Sequence, residues 1–456
     1  MPPVRYNKKV MIAHEVIDLE MTLLNVPSYR YGLEDRPPRW QNLIYGLQWL
    51  AITVPLIIIL GKIVAQIHFT DPMDQITYLQ KLFFITAVML LIQVYWGHQL
   101  PLVTGPAAIL LVGIITNTGS PMDAIYSSMM ICGFLLTVLS ATGWFTYLKN
   151  LFTPRVVAVI LLLIAFTLIP TIINLVIAPE AEGSPLQHLL FSLLLLLVVV
   201  AVSQRLSGLW KSTLIIWAML GGSLIYYLLF PQVPSESAQV PFVASFFRDV
   251  TLHVSLEPAL IVSMLLCYVA LVINDLGSIQ SVGKMILADR MPVRISRGVT
   301  VTGLVNVLSG FLGIIGPVNF SLSPGVIAST SCASRFTLVP AGVFLFVIAF
   351  SPKLIQYLGN IPPVVIGTLL LYIMCSQVAT GLRIVFESTD PLSMDNGYIV
   401  GLPMMLATVV SFLPPAVTAS FPALVRPILG NGFVIGVLAV IILEHFIFRT
   451  EDLERG

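Results

Sequence analysis

Charge is what this chain most lacks. Charged residues make up 10% of its 456 positions, against about 25% in soluble domains. A water-facing surface cannot be assembled from so few. Cysteine is scarce too. The four present, Cys132, Cys267, Cys332 and Cys375, each fall singly in an apolar span, without metal spacing. They are expected as small core residues and not as ligands or disulfides. No paired carboxylates, no His/Cys ligand cluster and no nucleophile with a placed base are legible, so neither an enzyme nor a cofactor is expected. The net charge of +1 carries no information on partners, and no nucleic acid is expected among them. The first forty residues lack a clean apolar run ahead of a small-residue site, so no cleavable leader is expected.

What is present is apolar sequence in long runs. Stretches such as FSLLLLLVVVAVS (191–203) and LIIWAMLGGSLIYYLLF (214–230) leave no polar face. That composition defines an all-α polytopic membrane protein in the lipid bilayer. About fourteen spans are expected, near 42–66, 76–97, 101–117, 121–146, 154–177, 187–203, 211–230, 256–277, 297–315, 320–332, 335–350, 361–380, 397–413 and 427–448. The third and tenth are too short for about 30 Å of hydrocarbon at 1.5 Å per residue. Ahead of these spans, Met11–Leu24 is amphipathic and reads as a surface-lying or docked helix.

The rest of the chain is organised around residues 303–335, GLVNVLSGFLGIIGPVNFSLSPGVIASTSCASR. A lipid-facing helix has no use for Gly316-Pro317, Asn319 and Ser323-Pro324-Gly325. Proline removes backbone donors, and broken backbone at membrane depth persists only where it is buried or lines a cavity. A helix restarting near Pro324 would aim free N–H groups into the membrane interior. Secondary transporters place their sites at such interruptions. A kinked helix in a bundle is the competing reading.

Charge sets the topology. With the N-terminus in the cytoplasm, all but Lys62, Lys81, Arg248, Lys353 and Arg426 of the 23 Lys and Arg residues fall on the cytoplasmic side, as the positive-inside rule requires. Both termini are then cytoplasmic, in a plasma or bacterial inner membrane. PRVVAVILLL from Pro154 also matches PPVVIGTLLL from Pro362, a shift of seven spans. The broken spans three and ten are seven apart as well, beginning with Thr104-Gly105-Pro106-Ala107 and Ser323-Pro324-Gly325. Seven is odd, so two inverted repeats of 7 are expected, with a site between them. Chance similarity of two apolar stretches competes with the sequence match, so the spacing of the broken spans carries more of the argument.

Among residues that could carry chemistry, Asp275 in LVINDLGSIQSVG (271–283) is the clearest intramembrane carboxylate. A charge at mid-bilayer costs about 2.5–3.5 kcal/mol or more and is functional by default. The alternatives are a helix-end cap or a pair with Lys284. Asn274 precedes it and Ser278 lies one turn on. Gln48 and Trp49 open span one, where a cross-helix hydrogen bond and an interface anchor compete with site roles. Asn319 and Ser321 begin the tenth span. His98 reads as a loop or interfacial residue.

YGLEDRPPRW leading into GLQWL, then QLPLVTGPAAILLVG, FTPRVVAVILLLIAFTLIP, GLVNVLSGFLGIIG and SPGVIASTSCASR follow one another in an order that resembles the nucleobase/ascorbate transporter family, which includes the xanthine and uracil permeases. The resemblance covers the chain from Tyr31 onward. It implies a core domain (41–150 and 256–350, spans 1–4 and 8–11) moving in an elevator-like way against a gate domain (151–255 and 351–449, spans 5–7 and 12–14). A cytoplasmic segment at 1–40 and a tail at 450–456 would flank them. It further implies short strands before half-helices 3 and 10, a homodimer through gate helices, and proton- or sodium-coupled symport of nucleobases.

With that fold, substrate is expected to meet Asn274, Asp275 and Ser278, the stretch Phe320, Ser321, Leu322 and Ser323, Ala107 and Ala108, and Gln48 and Trp49. Backbone N–H groups at Phe320–Ser323 and Ala107–Ala108 would donate to it, Phe320 or Trp49 would stack on it, and Asp275 would couple the proton. The chain departs from the family at three places. Trp49 follows Gln48 where the family has histidine. Asn274 stands for the glutamate of span eight, and Leu322 for the glutamate or glutamine of span ten. The loss of acidic groups makes a sulfate-permease-like anion carrier the rival, with a small anion held by half-helix N-termini.

Overall fold

The computed structural model describes residues 29–143, 153–177, 183–207, 210–211, 213–230, 240–244, 246, 254–320, 322–387, 393–422 and 425–448. Met11–Leu24 and Ser321 lie outside them. Among the described residues helices predominate, and the one sheet is a pair of three-residue strands.

The helices run Arg39–His68 (α1), Pro72–Tyr95 (α2), Ala108–Ile115 (α3), Met122–Ala141 (α4), Pro154–Thr167 (α5), Ile169–Ile177 (α6), Pro185–Arg205 (α7) and Leu214–Leu229 (α8). Then come Pro258–Met285 (α9), Met291–Phe311 (α10), Ser323–Thr330 (α11), Leu338–Ala349 (α12), Pro352–Gly359 (α13), Pro363–Phe386 (α14), Met394–Ser411 (α15), Pro415–Ser420 (α16), Arg426–Leu429 (α17) and Gly432–Ile442 (α18). Strand β1 is Thr104–Pro106 and β2 is Pro317–Asn319.

Local chemistry marks many of the starts. Asp71 caps α2 through the Met73 amide, and Ser184 with Gln187 forms a capping box on α7. Proline occupies the first turn of α2, α5, α7, α9 and α14, where its missing N–H costs nothing.

Among the described residues, seven helical stretches are long and apolar enough to cross a membrane: α1, α2, α4, α5 with α6, α7, α9 and α14. The Arg335–Ala349 stretch, bent by 100° against α13, makes an eighth when counted as one span. The chain is a multi-pass integral membrane protein. The remaining apolar segments expected as spans form shorter helices or, in α10, a more polar one.

Helices α1, α2, α4, α9, α10 and α12 pack on one another, and α5, α6, α7, α14, α15 and α18 form a second set. In lipid, packing comes from close backbone approach at small residues. α10 lies along α4 through Gly133, Gly303 and Gly310; a Cβ on Gly310 would stand 2.7 Å from the Tyr126 carbonyl oxygen. Ser140 and Ser296 exchange hydroxyl-to-carbonyl bonds across the same seam at 2.9 and 3.0 Å. Asn431, at the start of α18, ties the two sets together by donating to Thr116 Oγ1 at 2.8 Å and Ser263 Oγ at 3.3 Å.

Ahead of α1, residues 30–35 run beside 331–335. Tyr31 and Cys332 form a parallel bridge, the Arg30 amide donates to the Ser331 carbonyl and the Ala333 amide to the Tyr31 carbonyl. Arg335 pairs with Glu34 at 2.7 Å and also donates to the Val94 carbonyl.

Candidate functional site

The two interrupted segments meet. β1 pairs antiparallel with β2, Thr104 opposite Asn319 and Pro106 opposite Pro317. α3 therefore leaves one end of the ribbon and α11 the other. The ribbon between them is three residues long, about 7 Å. Neither helix has a side-chain cap, so first-turn N–H groups remain for another acceptor.

Not every amide named from the sequence is free. The Ala107 N–H donates to the Gly316 carbonyl at 3.0 Å and the Phe320 N–H to the Val103 carbonyl at 2.8 Å. These two are spent on the ribbon. The Ala108 and Ser323 amides have no such partner among the described residues.

The ribbon is held by buried polar groups. Asn306 donates to the Pro317 carbonyl at 2.9 Å and accepts from Tyr268 at 3.0 Å. The Tyr78 hydroxyl accepts the Ile315 amide at 2.9 Å. Ser323 Oγ accepts the Val103 amide at 3.0 Å. Gly105 is required here because the Phe320 ring lies against it, 2.5 Å from where a Cβ would stand.

Asp275 is wholly buried in the middle of α9. It neither caps a helix end nor pairs with Lys284, and no cation contacts it among the described residues. Its Oδ1 accepts from Asn319 Nδ2 at 2.5 Å and its Oδ2 from the Thr302 hydroxyl at 2.7 Å. Burying a carboxylate is tolerable only when its lone pairs are satisfied.

The donors form a closed ring. His98 Nε2 reaches Asn319 Oδ1 at 3.2 Å. The His98 amide donates to Gln93 Oε1 at 3.2 Å, and Gln93 Nε2 donates to Thr302 Oγ1 at 3.3 Å. Ser278 Oγ reaches the Asn319 carbonyl at 3.0 Å, closing β2 onto α9.

The other expected residues divide. Asn274 is half-buried, and its amide has no hydrogen-bond partner among the described residues. Phe320 is half-buried and Leu322 exposed at the mouth of α11. Ala107 is buried under the ribbon and Ala108 opens α3. Gln48 Oε1 is buried without a partner among the described residues. Trp49 turns into the packing and donates from Nε1 to Thr337 Oγ1 at 3.0 Å, so its ring is part of the core. Ser321 lies outside the described residues.

His98 lies in the loop between α2 and β1, but it is fully buried there, which corrects only the alternative reading of it as an interfacial histidine. Thr302 and Gln93 were not foreseen at all. The one signal for them was the presence of polar residues inside apolar spans.

Comparison with known proteins makes the chain a transporter and not an enzyme. The chain belongs to the Permease family: a family model for xanthine/uracil permeases matches residues 40–416. It is 25% identical to the xanthine permease of Bacillus subtilis over 408 residues, 86% of this chain and 89% of that one. It is 26% identical to the uric acid permease PucK of Bacillus subtilis (90% and 96% covered) and 23% identical to the xanthine permease XanP of Escherichia coli (92% and 95% covered). A match to a Clostridium perfringens protein named as a purine permease spans 65% of each chain. In fold the chain resembles the transmembrane domain of the cyanobacterial bicarbonate transporter BicA, with a TM-score of 0.57 at 15% identity, covering 84% and 98%. It also resembles the murine Solute Carrier 26 family member A9 anion transporter, with a TM-score of 0.56 at 14% identity, covering 97% and 72%.

Proposed function

We propose that the chain is a secondary transporter of oxidised purines or related planar nucleobases, coupled to protons. Its relatives' names, xanthine and uric acid permeases, support the substrate class. The observation that carries the mechanism is Asp275, a buried carboxylate beside the half-helix ribbon and held by neutral donors alone.

Asp275 can take up a proton without moving a heavy atom. The Thr302 hydroxyl has two acceptors, Asp275 Oδ2 at 2.7 Å and the Gly298 carbonyl at 3.1 Å. When Oδ2 gains a proton it donates to Thr302 Oγ1, and the hydroxyl hydrogen turns to Gly298. A network that satisfies both charge states suits a coupling group.

Substrate binds where α3 and α11 begin. The Ala108 and Ser323 amides donate to it, Asn274 meets its polar edge, and Phe320 lies along its face, with Gln48 and Leu322 at the margin. Fourteen spans in two inverted repeats, both termini cytoplasmic, fit the paired strand–half-helix units. The two packing sets support a core that moves past a gate.

The rival is an anion carrier, favoured by the uncapped half-helix N-termini and by the fold shared with anion transporters. Thermal stabilisation separates the two. A ligand at 100 times its Kd raises stability by about 2.7 kcal/mol. Xanthine or urate raising the melting temperature supports the nucleobase reading. A shift with bicarbonate or sulfate alone overturns it.

A further inference from the structure

His98 is the least expected member of the ring, and its geometry fixes its chemistry. The Leu100 backbone amide donates to His98 Nδ1 at 2.9 Å. An amide can only donate, so Nδ1 holds a lone pair and the ring proton is on Nε2. Nε2–H then donates to Asn319 Oδ1 at 3.2 Å. That bond turns the Asn319 NH2 group toward Asp275, 2.5 Å away. An amide without such a partner can flip and present its oxygen to the carboxylate, which repels it.

The setting keeps the ring neutral and still. Arg294 Nη1 donates to the His98 and Gln99 carbonyls at 3.1 Å each, and its Nη2 pairs with Asp289 at 2.8 Å. Burial disfavours a charge on the His98 ring, and the nearby Arg294 guanidinium adds to that, although the bond to Asn319 works the other way. Gly298 passes so close that a Cβ would lie 3.0 Å from His98 Cβ. The ring cannot swing away.

We propose that His98 is a positioning residue for transport: as the Nε2–H tautomer it orients the Asn319 amide, which in turn orders the Asp275 carboxylate and locks β2 to α9. The proposal rests on the reading of Asp275 as the coupling group.

Two variants separate this role from mere stapling of the loop. His98→Asn keeps an acceptor near Nδ1 for the Leu100 amide but cannot reach Asn319. His98→Gln keeps a donor at the reach of Nε2 but gives up the Leu100 bond. The proposal predicts that His98→Asn loses uptake about tenfold or more and displaces its pH profile from that of the wild type. His98→Gln retains both uptake and profile. The reverse pattern, or a wild-type pH profile in His98→Asn, overturns the proposal.

If His98→Asn does not fold, 15N-histidine spectra of the wild-type protein decide, with His98 assigned from the His98→Gln spectrum. A neutral Nε2–H tautomer held from pH 5 to 8 is expected. An Nδ1–H tautomer or a charged ring overturns the proposal. That readout is independent of which solute moves, so failure of the substrate assignment is seen separately, as a wild-type protein with the expected tautomer and no nucleobase uptake.

Discussion

Asn319 on β2 and Asp275 on α9 are joined by a bond of 2.5 Å between amide nitrogen and carboxylate oxygen. The residues lie 44 apart in sequence, and both are fully buried. Through this one bond the interrupted tenth segment is fixed to a continuous helix, and the only carboxylate shown within the ring gains a donor in place of water.

Asp275→Asn keeps the shape and removes the charge. An asparagine there can offer its oxygen to Asn319 and its NH2 to Thr302, so the protein is expected to fold. Proton-driven uptake should fall to background while substrate exchange at equal concentrations persists. Asp275→Leu instead leaves the buried Asn319 NH2 without its acceptor, at about 1–3 kcal/mol, while the Thr302 hydroxyl can turn to the Gly298 carbonyl. The leucine variant should lower the melting temperature clearly more than Asp275→Asn, read by a fluorescence melt.

Gly105→Val tests the ribbon. Its side chain must displace the Phe320 ring, and the face that would cover the substrate goes with it. The variant should bind substrate about tenfold or more weakly, measured as KM in vesicle uptake. Gly119→Val, at a position with nothing within 4 Å, is the control and should leave KM unchanged.

Gly303→Leu tests the seam between α4 and α10. A Cβ there already meets the Thr137 amide at 2.8 Å and the Gly133 carbonyl at 2.9 Å, and both are backbone atoms that cannot turn aside. Overpacking of this kind costs about 1–3 kcal/mol or more. A drop in melting temperature, with no change in KM for the protein that remains folded, is expected.

Asn431→Ala tests the link between the two packing sets. It removes the bonds to Thr116 and Ser263, and also the cap on the Val434 amide at 3.2 Å. Cap loss alone costs about 0.5–2 kcal/mol. Asn431→Asp keeps the cap acceptor and loses the donors. If these bonds hold one conformation, Asn431→Asp should change the rate of transport with little change in melting temperature, while Asn431→Ala changes both.

The membrane class and the two broken segments were legible because they rest on composition and on Gly and Pro placement, which act locally. Asp275 stood out for the same reason: a charge in an apolar run needs a partner. Which partner was not legible. Thr302 lies on the next helix and His98 in a loop before β1. Only the folding of three segments onto one another brings them within hydrogen-bond reach. Trp49 misled because position near a span end suggests an interface anchor, whereas its burial is decided by Thr337, 288 residues away. The free amides were overcounted because antiparallel pairing, invisible to periodicity, consumed those of Ala107 and Phe320.

The central claim is most directly tested by uptake into proteoliposomes carrying the purified protein, under an inward proton gradient. Labelled xanthine, urate and uracil would be compared with bicarbonate and sulfate. The account predicts gradient-driven accumulation of a purine that collapses with an uncoupler and is lost in Asp275→Asn. Anion flux that ignores every nucleobase, or purine uptake that Asp275→Asn leaves intact, would contradict it.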